Sequence, residues 1–106
     1  VKRGEVWWTA FDPAVGAEIR KTRPAVILTA EGLLRIRRAV IVVPFSTGPT
    51  PRPPVNVAVP SMTKSSVAVC DQARCLDKSR LVRRIGLLGE DDLRSVEEAV
   101  RDVLAL

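Results

Sequence analysis

At 106 residues, 46% hydrophobic and 27% charged, the chain has the composition of one globular domain, too short for two and too apolar for disorder. No apolar run nears the ~20 residues of a membrane-spanning helix, and Val1-Lys2-Arg3-Gly4 has no apolar stretch behind its charges. Neither a spanning segment nor a signal peptide is expected, and a cytoplasmic address follows.

A formal charge of +5 comes with two cysteines, Cys70 and Cys75, and no histidine. That pair makes no zinc pattern, so no metal or cofactor is expected, and the cysteines should be reduced thiols. Without imidazole, any catalysis falls to Arg, Lys, carboxylates or hydroxyls. The charge is uneven. Residues 90–102 hold Glu90, Asp91, Asp92, Glu97, Glu98 and Asp102 against Arg94 and Arg101, a local −4 that leaves +9 on the remainder. A basic body beside an acidic tail fits a polyanion partner, or a basic surface that is merely solvated.

In chain order, Glu5–Phe11 reads as a strand, with Val6, Trp8 and Ala10 on one face and Glu5, Trp7, Thr9 and Phe11 on the other. Asp12-Pro13 turns it into a polar loop. Arg23–Ala30 is apolar on both faces and should be central. Glu31–Arg38 interleaves Leu33, Leu34 and Ile36 with Arg35, Arg37 and Arg38, which suits a helical turn or a strand extension. Ala39–Phe45 is a third, buried strand, closed by Ser46-Thr47-Gly48. Four prolines between Pro49 and Pro54 make a stiff loop, either a connector or a gate. Val55–Val59, Ser66–Cys70 and, after a bend, Asp71–Leu76 read as further strands. Asp77–Val82 is a polar turn with a short helical piece, and Arg83–Leu88 a last strand. From Glu90, Leu93, Val96, Val100, Val103 and Leu104 recur at helical spacing behind Gly89 as N-cap, with three acids in the first turn. Many short strands and one terminal helix make the fold mainly β, a small curled antiparallel barrel with a C-terminal amphipathic α-helix.

The segment Gly16-Ala17-Glu18-Ile19-Arg20-Lys21-Thr22-Arg23-Pro24 stands out. It brings three cations and one carboxylate to the start of a buried strand. Pro24 fixes φ and holds Arg23 extended, so the guanidinium sits on rigid backbone. A planar, multidonor cation so held suits a phosphate; the bland alternative is an ion pair with Glu18 or Asp71.

Six stretches in order resemble one family, the MazF/PemK-type toxins, endoribonucleases of bacterial toxin–antitoxin pairs. They are Arg3-Gly4-Glu5-Val6-Trp7; Asp12-Pro13 with Val15-Gly16-Ala17-Glu18; Lys21-Thr22-Arg23-Pro24-Ala25-Val26; Val43-Pro44-Phe45-Ser46; Ser66 to Arg74; and Asp77-Lys78-Ser79-Arg80-Leu81 before the helix. The resemblance implies an SH3-like barrel, a homodimer, and metal-independent cleavage of single-stranded RNA. It also implies inhibition by a cognate antitoxin whose acidic, disordered C-terminal segment lies in the RNA groove. The family's catalytic arginine falls on Arg23 and its catalytic hydroxyl, usually threonine, on Ser46, with Thr47 adjacent. Ser65 stands where the family would have an acidic residue.

In such a reaction the RNA 2′-OH attacks the adjacent phosphorus. Arg23 would stabilise the added charge, since a guanidinium stays protonated and makes a poor base. Ser46 or Thr47 would hold a phosphoryl oxygen or orient the 2′-OH; otherwise they are strand-end turn residues. Glu18, Arg20 and Lys21 would line the RNA entry, with Glu18 orienting Arg23, or form a solvated loop. Asp71, Gln72 and Arg74 would read base edges of single-stranded RNA, or form a polar network at a bend. Lys78 and Arg80 would position phosphates or stabilise a turn. One of Trp7 and Trp8 should be core, the other stacking bases or covered by a partner. The alternative function is a non-catalytic SH3-like module that binds nucleic acid or, like gyrase-poisoning toxins, a protein.

Overall fold

The structure, a computed structural model, describes residues 1–106. Seven strands, all paired antiparallel, are β1 (Glu5–Ala10), β2 (Thr22–Ile27), β3 (Ala39–Thr47), β4 (Asn56–Ala58), β5 (Ser66–Val69), β6 (Arg74–Asp77) and β7 (Leu81–Leu87). Two helices accompany them, α1 (Glu31–Ile36) and α2 (Glu90–Val103). The path runs β4-β5-β3-β2-β1-β7, with β6 beside β3. The curled antiparallel, mainly β architecture is therefore present, but its ends β4 and β7 do not pair, so the barrel is open. Each end resists closure in its own way. Residues 49–54 fold back at β4, where Arg52 and Asn56 exchange backbone hydrogen bonds of 3.0 Å. On β7 the register with β1 skips Val82 and Ile85, two bulges that break an otherwise continuous edge.

Alternation in the central strands fills two cores. Val26, Val43 and Phe45 join Val6, Val57, Ala68, Leu88, Val96 and Ala99 in the larger. Ala25, Ile27, Val40 and Val42 join Phe11, Leu34 and Leu76 in the smaller, with Trp7 packed against it. α2 lies on the larger core through Val96 and Ala99, with Leu93, Val100 and Val103 alongside, as the spacing predicts; Leu104 falls past the last turn and is exposed.

β3 is the long strand on which the site depends. The Ile41 N–H donates to Thr29 Oγ1 (2.7 Å) and its carbonyl accepts from the Leu28 N–H (2.9 Å), so odd-numbered residues of β3 bond toward the β2 side. Even-numbered residues face the other side, where Ala39–Val42 pair with β6 and Phe45–Thr47 with β5. Pro44 sits at the handover between the two partners, where its missing N–H interrupts no ladder.

Some local expectations are corrected and others, the helical turn after Glu31 and the short helical piece after Asp77, are met. Ser46 and Thr47 belong to β3 rather than closing it, because β5 extends the ladder through Ser46↔Val67 and Thr47↔Ser66. Glu31–Ile36 is helical, with Lys78 Nζ donating to the carbonyl of Leu34 in its last turn. Asp71–Leu76 is not one extended piece: a 3₁₀ turn at Cys70–Gln72 precedes β6. A second 3₁₀ turn, Lys78–Arg80, is N-capped by Asp77, and β7 begins earlier than expected, at Leu81.

Candidate active site

The register of β2 on β3 ends at Ala25↔Pro44. Carried two residues further it would set Arg23 opposite Ser46. Instead β3 turns to β5 and β2 stays with β1, where Arg23 pairs with Thr9 and Pro24 with Trp8. The strands part, and the gap is a groove of about 330 Å³. Arg23, Ser46 and Thr47 all line it, together with Lys21, Trp8, Phe45, Met62, Thr63 and Ser66. The wall thus carries two cations, five hydroxyls (Thr22, Ser46, Thr47, Thr63 and Ser66) and no carboxylate. Ser66 is buried and its hydroxyl lies 2.6 Å from that of Thr63. Gly48, at φ +106°, then turns the chain out of the groove in a backbone region that side-chain-bearing residues rarely adopt.

Arg23 is half-buried and unpaired. The ion pairs are Arg3–Glu97, Arg38–Asp77, Arg84–Glu5 and Arg94–Asp91, so neither Glu18 nor Asp71 neutralises it. Its Nε donates to the carbonyl of Arg20 at 3.0 Å, which leaves the terminal nitrogens to the groove. Orientation therefore comes from a main-chain carbonyl and not from Glu18, whose Oε1 instead accepts from the Val15 N–H at 2.6 Å. Lys21 adopts the left-handed conformation, φ +67°, where the loop swings into β2, and its carbonyl accepts from the Phe11 N–H at 2.9 Å. That conformation costs a non-glycine residue roughly 1–2 kcal/mol.

The other anticipated site residues lie apart. Glu18, Asp71, Gln72 and Arg74 line a second pocket of about 340 Å³ with Ala17 and Ala73. Arg74 reaches over the Phe11 ring, 5.8 Å from its centroid, and its Nη1 is buried with no hydrogen-bond partner. Lys78 and Arg80 line neither pocket. Both serve turns: Lys78 on α1, and Arg80 Nη1 on the carbonyl of Asp12. Arg20 does not line the groove; its carbonyl accepts from Arg23 Nε. Nowhere do three His, Cys, Asp or Glu side chains converge. Cys70 supplies no ready nucleophile, because burial, with the Asp71 charge adding, pushes its thiol up to about 12.

A family model described as the PemK-like, MazF-like toxin of type II toxin–antitoxin systems matches residues 2–104. The chain belongs to this family. Endoribonuclease PemK of Escherichia coli is 32% identical over 101 residues, covering 91% of this chain and 76% of its own length. Endoribonuclease MazF9 of Mycobacterium tuberculosis is 31% identical over 110 residues, covering 95% and 93%. Among solved structures, MazF from Deinococcus radiodurans superposes with a TM-score of 0.88 at 24% identity, covering 100% of this chain and 97% of that one. A mycobacterial endoribonuclease solved with its cognate antitoxin shares the fold at 0.83 and 20%, covering 100% and 96%.

In this PemK/MazF-type chain, sequence reasoning passed over Met62, Thr63 and Ser66. A usable signal was present: once β5 is paired with the end of β3, Ser66 falls opposite Thr47. Trp8 and Trp7 also sort by face, Trp8 to the groove and Trp7 to the smaller core.

Proposed function

We propose that this chain is a toxin endoribonuclease that cuts single-stranded RNA in the groove between β2 and β3. The observation that carries the reading is a groove wall holding an unpaired guanidinium, a lysine and five hydroxyls with no carboxylate, a surface suited to a phosphodiester. The 2′-OH gives up its proton to water as its oxygen forms a bond to phosphorus, the bond from phosphorus to the 5′-oxygen breaks, and the leaving oxygen takes up a proton from water. The products are a 2′,3′-cyclic phosphate and a 5′-hydroxyl. Arg23 stabilises the added charge on the phosphoryl oxygens, and Ser46 or Thr47 holds a phosphoryl oxygen or orients the 2′-OH. Lys21 meets a neighbouring phosphate. Arg20, exposed on the entry loop, adds diffuse attraction. Glu18, Asp71 and Arg74 offer a second pocket for a flanking nucleotide, a role supported by the unpartnered Arg74 Nη1.

The partner set follows the family. An antitoxin with an acidic segment would occupy the same cationic groove. A second copy of the chain would cover Leu33 and Ile41, which are 48% and 45% exposed beside Cys75 around a shallow apolar cavity of about 170 Å³. The site of action is the cytoplasm, where RNA is found and where free thiols such as Cys70 and Cys75 persist; no helix is long and apolar enough to cross a membrane.

The test is incubation of the protein with a long single-stranded RNA in excess EDTA, with the product ends identified chemically. Cleavage leaving 2′,3′-cyclic phosphates is expected. No cleavage, or cleavage that requires added Mg²⁺, rejects the mechanism.

A further inference from the structure

We infer that Gln72 is a positioning residue that latches the loop before β2, and thereby the backbone carbonyl that aims Arg23, instead of contacting RNA itself. The inference rests on the ribonuclease reading of the groove. Gln72 lies in the 3₁₀ turn ahead of β6 and is half-buried. Its Oε1 accepts from the N–H of Ile19 at 2.7 Å, and its Nε2 donates to the carbonyl of Ala17 at 3.1 Å. Both ends of the amide are thus spent on main chain more than fifty residues away in sequence.

Nothing else fixes this loop so directly. Within it, Glu18 and Val15 bond only to each other. Between residues 14 and 20, the two bonds from Gln72 are the only hydrogen bonds arriving from beyond Arg23. The Ile19 side chain packs on the smaller core, so the latch has an apolar half and a polar half. The residue after Ile19 is Arg20, whose carbonyl accepts from Arg23 Nε at 3.0 Å. The line of force runs from Gln72 through the Ile19 amide and the Arg20 carbonyl to the Arg23 guanidinium. A base-reading role would require Gln72 to break both of its bonds before meeting a nucleotide.

Two variants test this. Gln72→Ala removes both bonds. Gln72→Glu keeps the acceptor for Ile19 but turns an oxygen toward the Ala17 carbonyl, which repels when ionised and donates again when protonated. The charged groups around that carboxyl are Glu18 and Asp71, which favour its protonation, and Arg74, which opposes it. Single-turnover cutting at saturating RNA should fall about tenfold in Gln72→Ala, with KM little changed and the same cut sites as the parent. In Gln72→Glu the rate relative to the parent should climb as pH is lowered from 7.5 to 5. Separately, the Ile19 amide should exchange with solvent at least about tenfold faster in Gln72→Ala, beyond any change in the buried amides of β3, whose exchange reports global stability.

Parent-like cutting, an altered cut-site pattern, or unchanged Ile19 exchange each overturns the latch. Should Gln72→Ala fail to fold, Gln72→Glu decides: an acid-side recovery supports the latch and a flat profile refutes it. If the parent cuts no RNA at all, the ribonuclease reading falls, while the exchange measurement still judges the latch.

Discussion

Replacing Arg23 should separate activity from stability. The side chain is half-buried, joins no ion pair and makes one hydrogen bond, to the carbonyl of Arg20. Arg23→Ala therefore forfeits about 1 kcal/mol of folding free energy, the net worth of one such bond. That leaves a domain of ~5–15 kcal/mol folded. The same change removes the guanidinium from a groove whose other cation is Lys21. Losing one preorganised donor to developing charge costs about 3–4 kcal/mol, or ~100- to 1000-fold in rate. Arg23→Lys keeps the charge but loses the planar fork and the bond to Arg20, so its rate should fall between parent and alanine variant. The assay is single-turnover cleavage of a fluorescent oligoribonucleotide, with urea unfolding of each variant in parallel. A folded Arg23→Ala protein that cuts within about threefold of the parent refutes the reasoning.

Three further outcomes follow from the same geometry. Of Ser46→Ala and Thr47→Ala, one should slow the cutting step by at least about tenfold while the other stays near the parent rate, and two parent-like variants would remove the hydroxyl from the mechanism. With Lys21 and Arg23 each meeting a phosphate, raising salt from 50 to 200 mM should weaken single-strand binding about sevenfold by filter binding, and a flat response counts against the groove. The Glu5 carboxyl is buried, which alone would raise its pKa, but the hydrogen bond from Arg84, the backbone N–H of Lys2 and the Trp7 ring N–H outweigh burial and hold it below its ordinary value of 4.5. Its contribution is thus complete above the ordinary carboxylate range and lost as pH falls through the lower native value, so urea midpoints should drop on acidification and drop less in Glu5→Gln.

What could be read in advance followed physical period and covalent constraint. The α2 stripe, the two-faced apolar runs of β2 and β3, and Arg23 on a rigid strand end are local, and one stretch of sequence is enough to see them. Ser46 and Thr47 read as turn residues because hydroxyls before a glycine usually are; only β5, twenty residues later, makes them strand. Glu31–Arg38 was ambiguous because its leucines and arginines satisfy either period, and the cation that serves its last turn, Lys78, arrives from far along the chain. Asp71–Arg74 follow directly on the apolar run of β5, which looks like more extended chain, yet Gln72 is committed to a loop that no local pattern links to it. The Glu18–Arg23 pairing failed for a similar reason, since a nearby main-chain amide claimed the carboxylate first.

The handover at Pro44 ties the groove to strand alignment, because β3 leaves β2 for β5 there. Lengthening residues 48–55 would alter the rim of the groove while the strands that carry Arg23, Ser46 and Thr47 keep their register. Sliding β3 by a single step against β2 would move Ser46 and Thr47 along the groove and would turn the β3 share of both cores inside out at once. A chain built on this plan can therefore rewrite the rim of the groove, while the positions of Arg23, Ser46 and Thr47 stay fixed by the weave of the sheet.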